Sequence, residues 1–203
     1  ADKILKFMDL FAGEETLILT DPVMGDDGEV YPIYTEGLRS RFRELVSRSY
    51  VITPNLTEAL LLLYGKEEME KKWKVLETMP EAERLEKIQE IGQRLVLEFS
   101  LSAVVITGVN YRENSQTPKM GNLVLEKEKV SWVFAEKSGG SYSGTGDLFA
   151  SVLSAGLVKG YSMETCAHMA VEFISTSIRD AVSEGTDRND GVCFEAHLGM
   201  LLS

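Results

Sequence analysis

Cysteine and histidine are nearly missing from this chain, which has two of each in 203 residues. Cys166 and Cys193 share no metal-ligand spacing, and His168 and His197 are the only histidines, so the thiols read as buried or inert and not as metal ligands. Positive charge is short as well. With 21 Lys and Arg against 32 Asp and Glu, the net charge of −11 argues against nucleic acid and against an anionic membrane surface as partners. An acidic protein that binds phosphates needs a cation to do so. No apolar run reaches the roughly 18 residues of a membrane-spanning helix. Asp2, Lys3 and Lys6 break the opening where a signal peptide has its apolar core, so the expected location is the cytoplasm.

The composition that is present, 44% apolar and 26% charged, suits one globular domain over residues 1–203, with no internal repeat. The chain opens on Ala1 without a Met, in what reads as the middle of a helix, so its natural start is expected upstream. Three short β-rich runs end at polar loops: residues 16–20 at Asp21-Pro22, residues 50–52 at Thr53-Pro54, and residues 103–107 at Gly108. A Gly/Asp turn follows at 25–28, and residues 121–125 and 130–134 read as a hairpin around 126–129. Helical spacing covers 36–48, 56–63, 85–99, 147–158, 163–178 and 192–201. The charge-rich residues 66–83 read as a surface insertion or a loosely held helix without chemistry. Strands alternating with helices predict an α/β fold, a mostly parallel sheet covered by helices on both faces. Ligands of such sheets sit at the carboxyl ends of the strands, where Asp21, Thr53 to Asn55 and Thr107-Gly108 collect.

The densest motif is Ser143-Gly144-Thr145-Gly146-Asp147, a Gly-rich turn running into an apolar helix. Its glycines let the amides of residues 144–147 converge on one point, and the helix adds the positive end of its dipole, which makes a nest for an anion. A carboxylate is out of place beside a bound phosphate unless it has a proton to accept, so Asp147 is a candidate base. The same residues also read as a Gly-rich loop with an Asp cap. Asp21 can bind Mg²⁺ directly or through water, or serve as a turn residue before Pro22. Asn55 with Glu58 three residues later approximates a capping box, and a Glu so placed can also hold a metal-bound water. Trp73 and Trp132 read as packing residues.

Taken together, Asp21-Pro22-Val23-Met24-Gly25-Asp26, Thr53-Pro54-Asn55 with Glu58, and Gly144-Thr145-Gly146-Asp147 resemble the ribokinase-like superfamily and, within it, the pyridoxal kinases. The resemblance implies ATP-dependent phosphorylation of the 5'-hydroxymethyl group of pyridoxal, pyridoxine or pyridoxamine. Carried onto this sequence, it makes Asp147 the base that meets the substrate hydroxyl and the amides of Gly144, Thr145, Gly146 and Asp147 the anion hole. It turns Asp21 and Glu58 toward Mg²⁺, and Asn55, Thr107, Gly108 and Thr145 toward the nucleotide. The family commonly forms homodimers. Hydroxymethylpyrimidine kinases share the fold, but their nest reads Gly-Thr-Gly-Cys, so Asp147 favours the pyridoxal reading. Family chains also begin with a further N-terminal segment that supplies opening strands and much of the vitamin pocket. Its absence from this sequence implies an N-terminally truncated ribokinase-like chain, and as an alternative an inactive ATP-binding fragment.

Overall fold

Short aliphatic runs separated by helices give the element order α1 (Asp2–Phe11), β1 (Leu19–Thr20), β2 (Gly25–Asp26), β3 (Glu29–Val30), α2 (Glu36–Val46), β4 (Val51–Ile52) and α3 (Leu56–Tyr64). There follow α4 (Lys66–Thr78), α5 (Glu81–Phe99), β5 (Ala103–Tyr111), β6 (Lys119–Glu126), β7 (Lys129–Glu136), α6 (Thr145–Val158), α7 (Met163–Glu184) and a 3₁₀ helix (Glu195–Leu201). These come from a computed structural model that describes residues 2–111, 118–127 and 129–202. Ala1 and the hairpin residue Glu128 lie outside the described residues.

One sheet has the order β1-β4-β5-β6-β7, and β2 pairs with β3 alone. The pairs β1–β4 and β4–β5 are parallel, with Leu19 beside Val51, Thr20 beside Ile52, Val51 beside Ala103 and Ile52 beside Val104. Parallel neighbours need crossovers, which α2 supplies before β4 and α3 to α5 supply before β5. Val51, Ile52 and Ala103 to Ile106 are buried, the unbroken apolar run of a sheet covered on both faces. Strand β1 is shorter than expected, since residues 16–18 precede it. Strand β5 is longer: it does not end at Gly108, because that residue takes φ +69° inside the strand and pairing resumes through Tyr111.

The chain divides into two compact units, Ala1–Gly108 with Leu125–Val130 and Val109–Val124 with Ser131–Ser203, so β5, β6 and β7 give residues to both. At the centre of the first unit is α3, which is buried from Leu56 to Leu63. A helix apolar on every side needs neighbours all round, and α2, α4, α5 and β2 pack against it. Each of its buried leucines contributes about 1.5–3 kcal/mol. Residues 66–83, expected as an insertion or a loose helix, are α4 and the start of α5. Met69 and Leu76 form the buried stripe of α4, and its charged residues cover the outside.

In the second unit α6 packs on α7, and Tyr142, Ala181 and Val192 form a cluster completed by Leu148, Ile178, Cys193 and Phe194. Of the segment expected as a helix over 192–201, only Glu195–Leu201 is helical, as a 3₁₀ helix with no buried residue, so nothing drives it to a full α-helical stripe. Among the described residues no helix is long and apolar enough to cross a membrane.

Candidate active site

The parallel register of β1 and β4 sets the first contact of the site. Thr20 lies beside Ile52, so the next residue of each strand, Asp21 and Thr53, also come together, and Thr53 Oγ1 donates a 2.9 Å hydrogen bond to Asp21 Oδ1. Two residues on, Asn55 opens α3 with a complete capping box. Its Oδ1 accepts from the Glu58 amide at 2.9 Å, and Glu58 Oε2 accepts from the Asn55 amide at 2.9 Å. Asn55 also bridges to Thr107 of β5, whose amide donates to Pro54 O at 2.9 Å. The structure thus gathers Asp21, Asn55, Glu58 and Thr107, with Gly108 next in the chain and exposed.

The same helix turn holds the hairpin β2–β3, a role that sequence reasoning missed. Glu58 Oε1 accepts from the Met24 amide at 3.0 Å, Asn55 Nδ2 donates to Gly25 O at 2.8 Å and to Asp26 Oδ1 at 3.4 Å, and the Gly28 amide donates to Thr57 Oγ1 at 2.9 Å. The signal was present in Asp27-Gly28, a pair that favours tight hairpin turns because both residues accept positive φ, here +47° and +80°. Gly25 is required for another reason: a Cβ there would lie 2.3 Å from Glu29 O.

Negative charge accumulates around this hairpin. Burial pushes the Glu58 carboxyl up to about 8, with the charge of Asp21 adding to the effect and the amides of Asn55, Met24 and Gly25 opposing it. Burial, together with the charges of Asp26, Glu58, Asp21 and Asp27, also raises the pKa of Tyr31, a neighbour that the sequence did not single out. Among the described residues no three His, Cys, Asp or Glu side chains group to hold a metal ion directly. Glu58, only 4% exposed and with both oxygens accepting amides, does not fit as a direct Mg²⁺ ligand; a metal-bound water is what its position allows. Asp21, the more accessible carboxylate, fits a hydrated cation, the form in which Mg²⁺ commonly meets protein and phosphate.

The second unit carries the nest. Helix α6 begins at Thr145, two residues before the expected start, so Asp147 lies within its first turn and is not its cap. Gly144 is the N-cap, at φ +82° and ψ −2°, and offers no side chain to the helix. The first intrahelical bond runs from the Leu148 amide to Gly144 O at 3.0 Å, so the amides of Thr145, Gly146 and Asp147 precede the ladder and no side chain caps them. An uncapped helix start with exposed glycines can take an anion. Thr145 Oγ1 is turned back onto Tyr142 O at 3.2 Å, and Arg188 braces the approach loop, its O accepting from the Ser143 amide and its Nε donating to Ser141 O at 2.9 Å. Asp147 is exposed.

A mainly parallel α/β sheet with this order of elements and motifs is the fold of the ribokinase-like superfamily. The chain belongs to the phosphomethylpyrimidine kinase family, whose model matches residues 3–191. It is 29% identical over 168 residues to the pyridoxine kinase of Bacillus subtilis (strain 168), covering 81% of this chain and 54% of that one. To the pyridoxine/pyridoxal/pyridoxamine kinase of Bordetella avium (strain 197N) it is 27% identical over 161 residues, covering 79% of this chain and 48% of that one. The chain therefore spans about half the length of the curated relatives it matches. A Bacteroides thetaiotaomicron protein described as a phosphomethylpyrimidine kinase, in a crystal form with pyridoxal, superposes with a TM-score of 0.81 at 26% identity over 98% of this chain and 65% of that one.

Proposed function

We propose that the chain is the catalytic part of an ATP-dependent kinase that phosphorylates the 5'-hydroxymethyl group of pyridoxal, pyridoxine or pyridoxamine. The reading is carried by the uncapped first turn of α6 with Asp147 inside it, an anion nest with a proton acceptor beside it. It is supported by the family, by the names of the two curated relatives and by the pyridoxal of the Bacteroides crystal form. ATP and a B6 vitamer are the partners, the assembly a homodimer and the setting the cytoplasm.

In this reading the vitamer oxygen attacks the γ-phosphorus of ATP, the bond to ADP breaks, and the hydroxyl proton passes to the Asp147 carboxylate. The alcohol becomes acidic only late in a loose transition state, so Asp147 mainly orients it, while the amides of Gly144, Thr145, Gly146 and Asp147 hold charge on the phosphoryl oxygens. Asn55, Thr107 and Gly108 of the first unit contact the nucleotide. Asp21, and Glu58 through water, face Mg²⁺, which supplies neutralising charge to the phosphates when bound.

The test is a coupled ADP-release assay with pyridoxal, hydroxymethylpyrimidine and ribose side by side, on this chain and on one lengthened at its N-terminus to the size of its relatives. Turnover highest with pyridoxal is expected in the longer protein, and none with pyridoxal there overturns the proposal. The family model also favours a second reading, hydroxymethylpyrimidine as substrate, which the same assay identifies. Mg·ADP binding without turnover in the shorter chain marks it as a nucleotide-binding fragment.

A further inference from the structure

The charged helix α4 has no part in the proposed chemistry, yet one of its residues stands against the acidic hairpin. Met69, Trp73 and Leu76 follow one another at helical spacing, and the first and last are buried, which fixes the face on which Trp73 sits. The indole meets Gly28: a Cβ on that glycine would lie 2.5 Å from Trp73 Nε1, 2.6 Å from Cδ1 and 2.8 Å from Cε2. Gly28 closes the turn that carries Asp26 and Asp27, and its amide donates to Thr57 Oγ1 at 2.9 Å. The turn is thus held by hydrogen bonds to the first turn of α3 and by packing against α4.

We propose that Trp73 is a positioning residue for the turn 26–28, fixing where the Asp26 carboxylate stands beside Asn55 and so how the cation and phosphates of a nucleotide are received. This rests on the reading of Asp21, Asn55 and Glu58 as the nucleotide side of the site. The hydrogen bonds from Asn55 Nδ2 to Gly25 O and Asp26 Oδ1, and from the Gly28 amide to Thr57 Oγ1, tie the hairpin to the first turn of α3. The indole packs on Gly28 from α4 and so fixes the turn from a second element, and displacement of a binding group by a fraction of an ångström costs affinity without touching the chemistry.

The chain has two tryptophans, so Trp132→Phe leaves Trp73 as its sole indole emitter. In that variant, titration with Mg·ADP is expected to change the emission along a saturation curve that matches the Kd from equilibrium dialysis. Trp73→Ala is expected to weaken Mg·ADP about tenfold, and to raise KM for ATP with kcat nearly kept where turnover is measurable; Trp73→Phe restores affinity to within about threefold. Far-UV circular dichroism and urea midpoints accompany each variant, and Trp73→Leu replaces the alanine variant if that one does not fold. A merely structural tryptophan would lower the midpoint and leave the Kd of the folded variants unchanged, which overturns the proposal. So does saturable Mg·ADP binding with no change in Trp73 emission. Failure of the unmodified chain to bind Mg·ADP overturns the nucleotide reading and this inference with it, whereas binding indifferent to Trp73 overturns this inference alone.

Discussion

Thr53 Oγ1 donates 2.9 Å to Asp21 Oδ1 across the ends of two parallel strands that pair over only two residues each. With so short a ladder, this side-chain bond extends the pairing and orients the carboxylate. Thr53 is buried and the acceptor is charged, so Thr53→Val, which keeps the shape and removes the donor, is expected to destabilise by about 1.5–3 kcal/mol, with Thr53→Ser close to the parent. Urea unfolding measures both. A valine variant as stable as the parent would mean that the bond does not tie the strands.

Glu58 makes the folded chain pH-sensitive in a direction unusual for a carboxylate. Its folded pKa is raised from 4.5 to about 8, chiefly by burial. Between those values the folded chain binds more protons at this position than the unfolded chain. The stability that Glu58 contributes is therefore complete below pH 4.5 and is lost as pH rises through about 8. The slope from this one group is at most about 1.4 kcal/mol per pH unit. Glu58→Gln removes that slope. It also sets an amide NH₂ against the backbone donor of Met24 or Asn55, so the variant is less stable at pH 5 and the gap narrows toward pH 8.5. Unfolding free energies across that range check the prediction, and parallel curves for the two proteins would contradict it.

Asp147 tests the catalytic half of the proposal. Asparagine keeps the size and the place in the first turn of α6 but cannot take a proton. Asp147→Asn is expected to lower kcat by about 10²–10⁴-fold while the Kd of Mg·ATP stays within about threefold. Near-normal kcat would remove Asp147 from the role of base; a large loss of nucleotide affinity would instead make it a binding residue.

Local pattern made most of this fold legible. The capping box at Asn55 and Glu58, the end of each strand at Asp21 and at Thr53, and the Gly144 nest all depend on residues close in sequence, whose spacing reports their geometry directly. What escaped was tertiary. The buried stripe of α4 is only Met69 and Leu76 among many charges, so periodicity was too weak to separate a packed helix from a loose one. Gly108 looked like a strand end because glycine usually punctuates, yet β5 runs on to Tyr111 in a sheet where β6 is its other neighbour. The hairpin carrying Asp26 depends on bonds to residues 29 and 30 positions away, beyond the reach of any local rule.

Gly156 illustrates a tertiary constraint that can be measured in isolation. It lies in α6, where alanine would ordinarily gain about 1 kcal/mol of helix propensity. Here a Cβ would meet Cys166 Sγ of α7 at 2.5 Å and its Cβ at 3.4 Å. Both residues are buried, so the clash cannot be relieved into solvent, and Gly156→Ala is expected to destabilise by about 1–3 kcal/mol despite the better helix former. Cys166→Ala removes the sulfur and leaves a small void, destabilising on its own by about 1 kcal/mol. In the double variant the new methyl occupies the space left by Sγ, so the two changes should compensate, with a coupling of about 1–3 kcal/mol in favour of the double. Strict additivity in urea denaturation would show that α6 and α7 separate to admit the methyl, and that the close approach at Gly156 is not what sets their spacing.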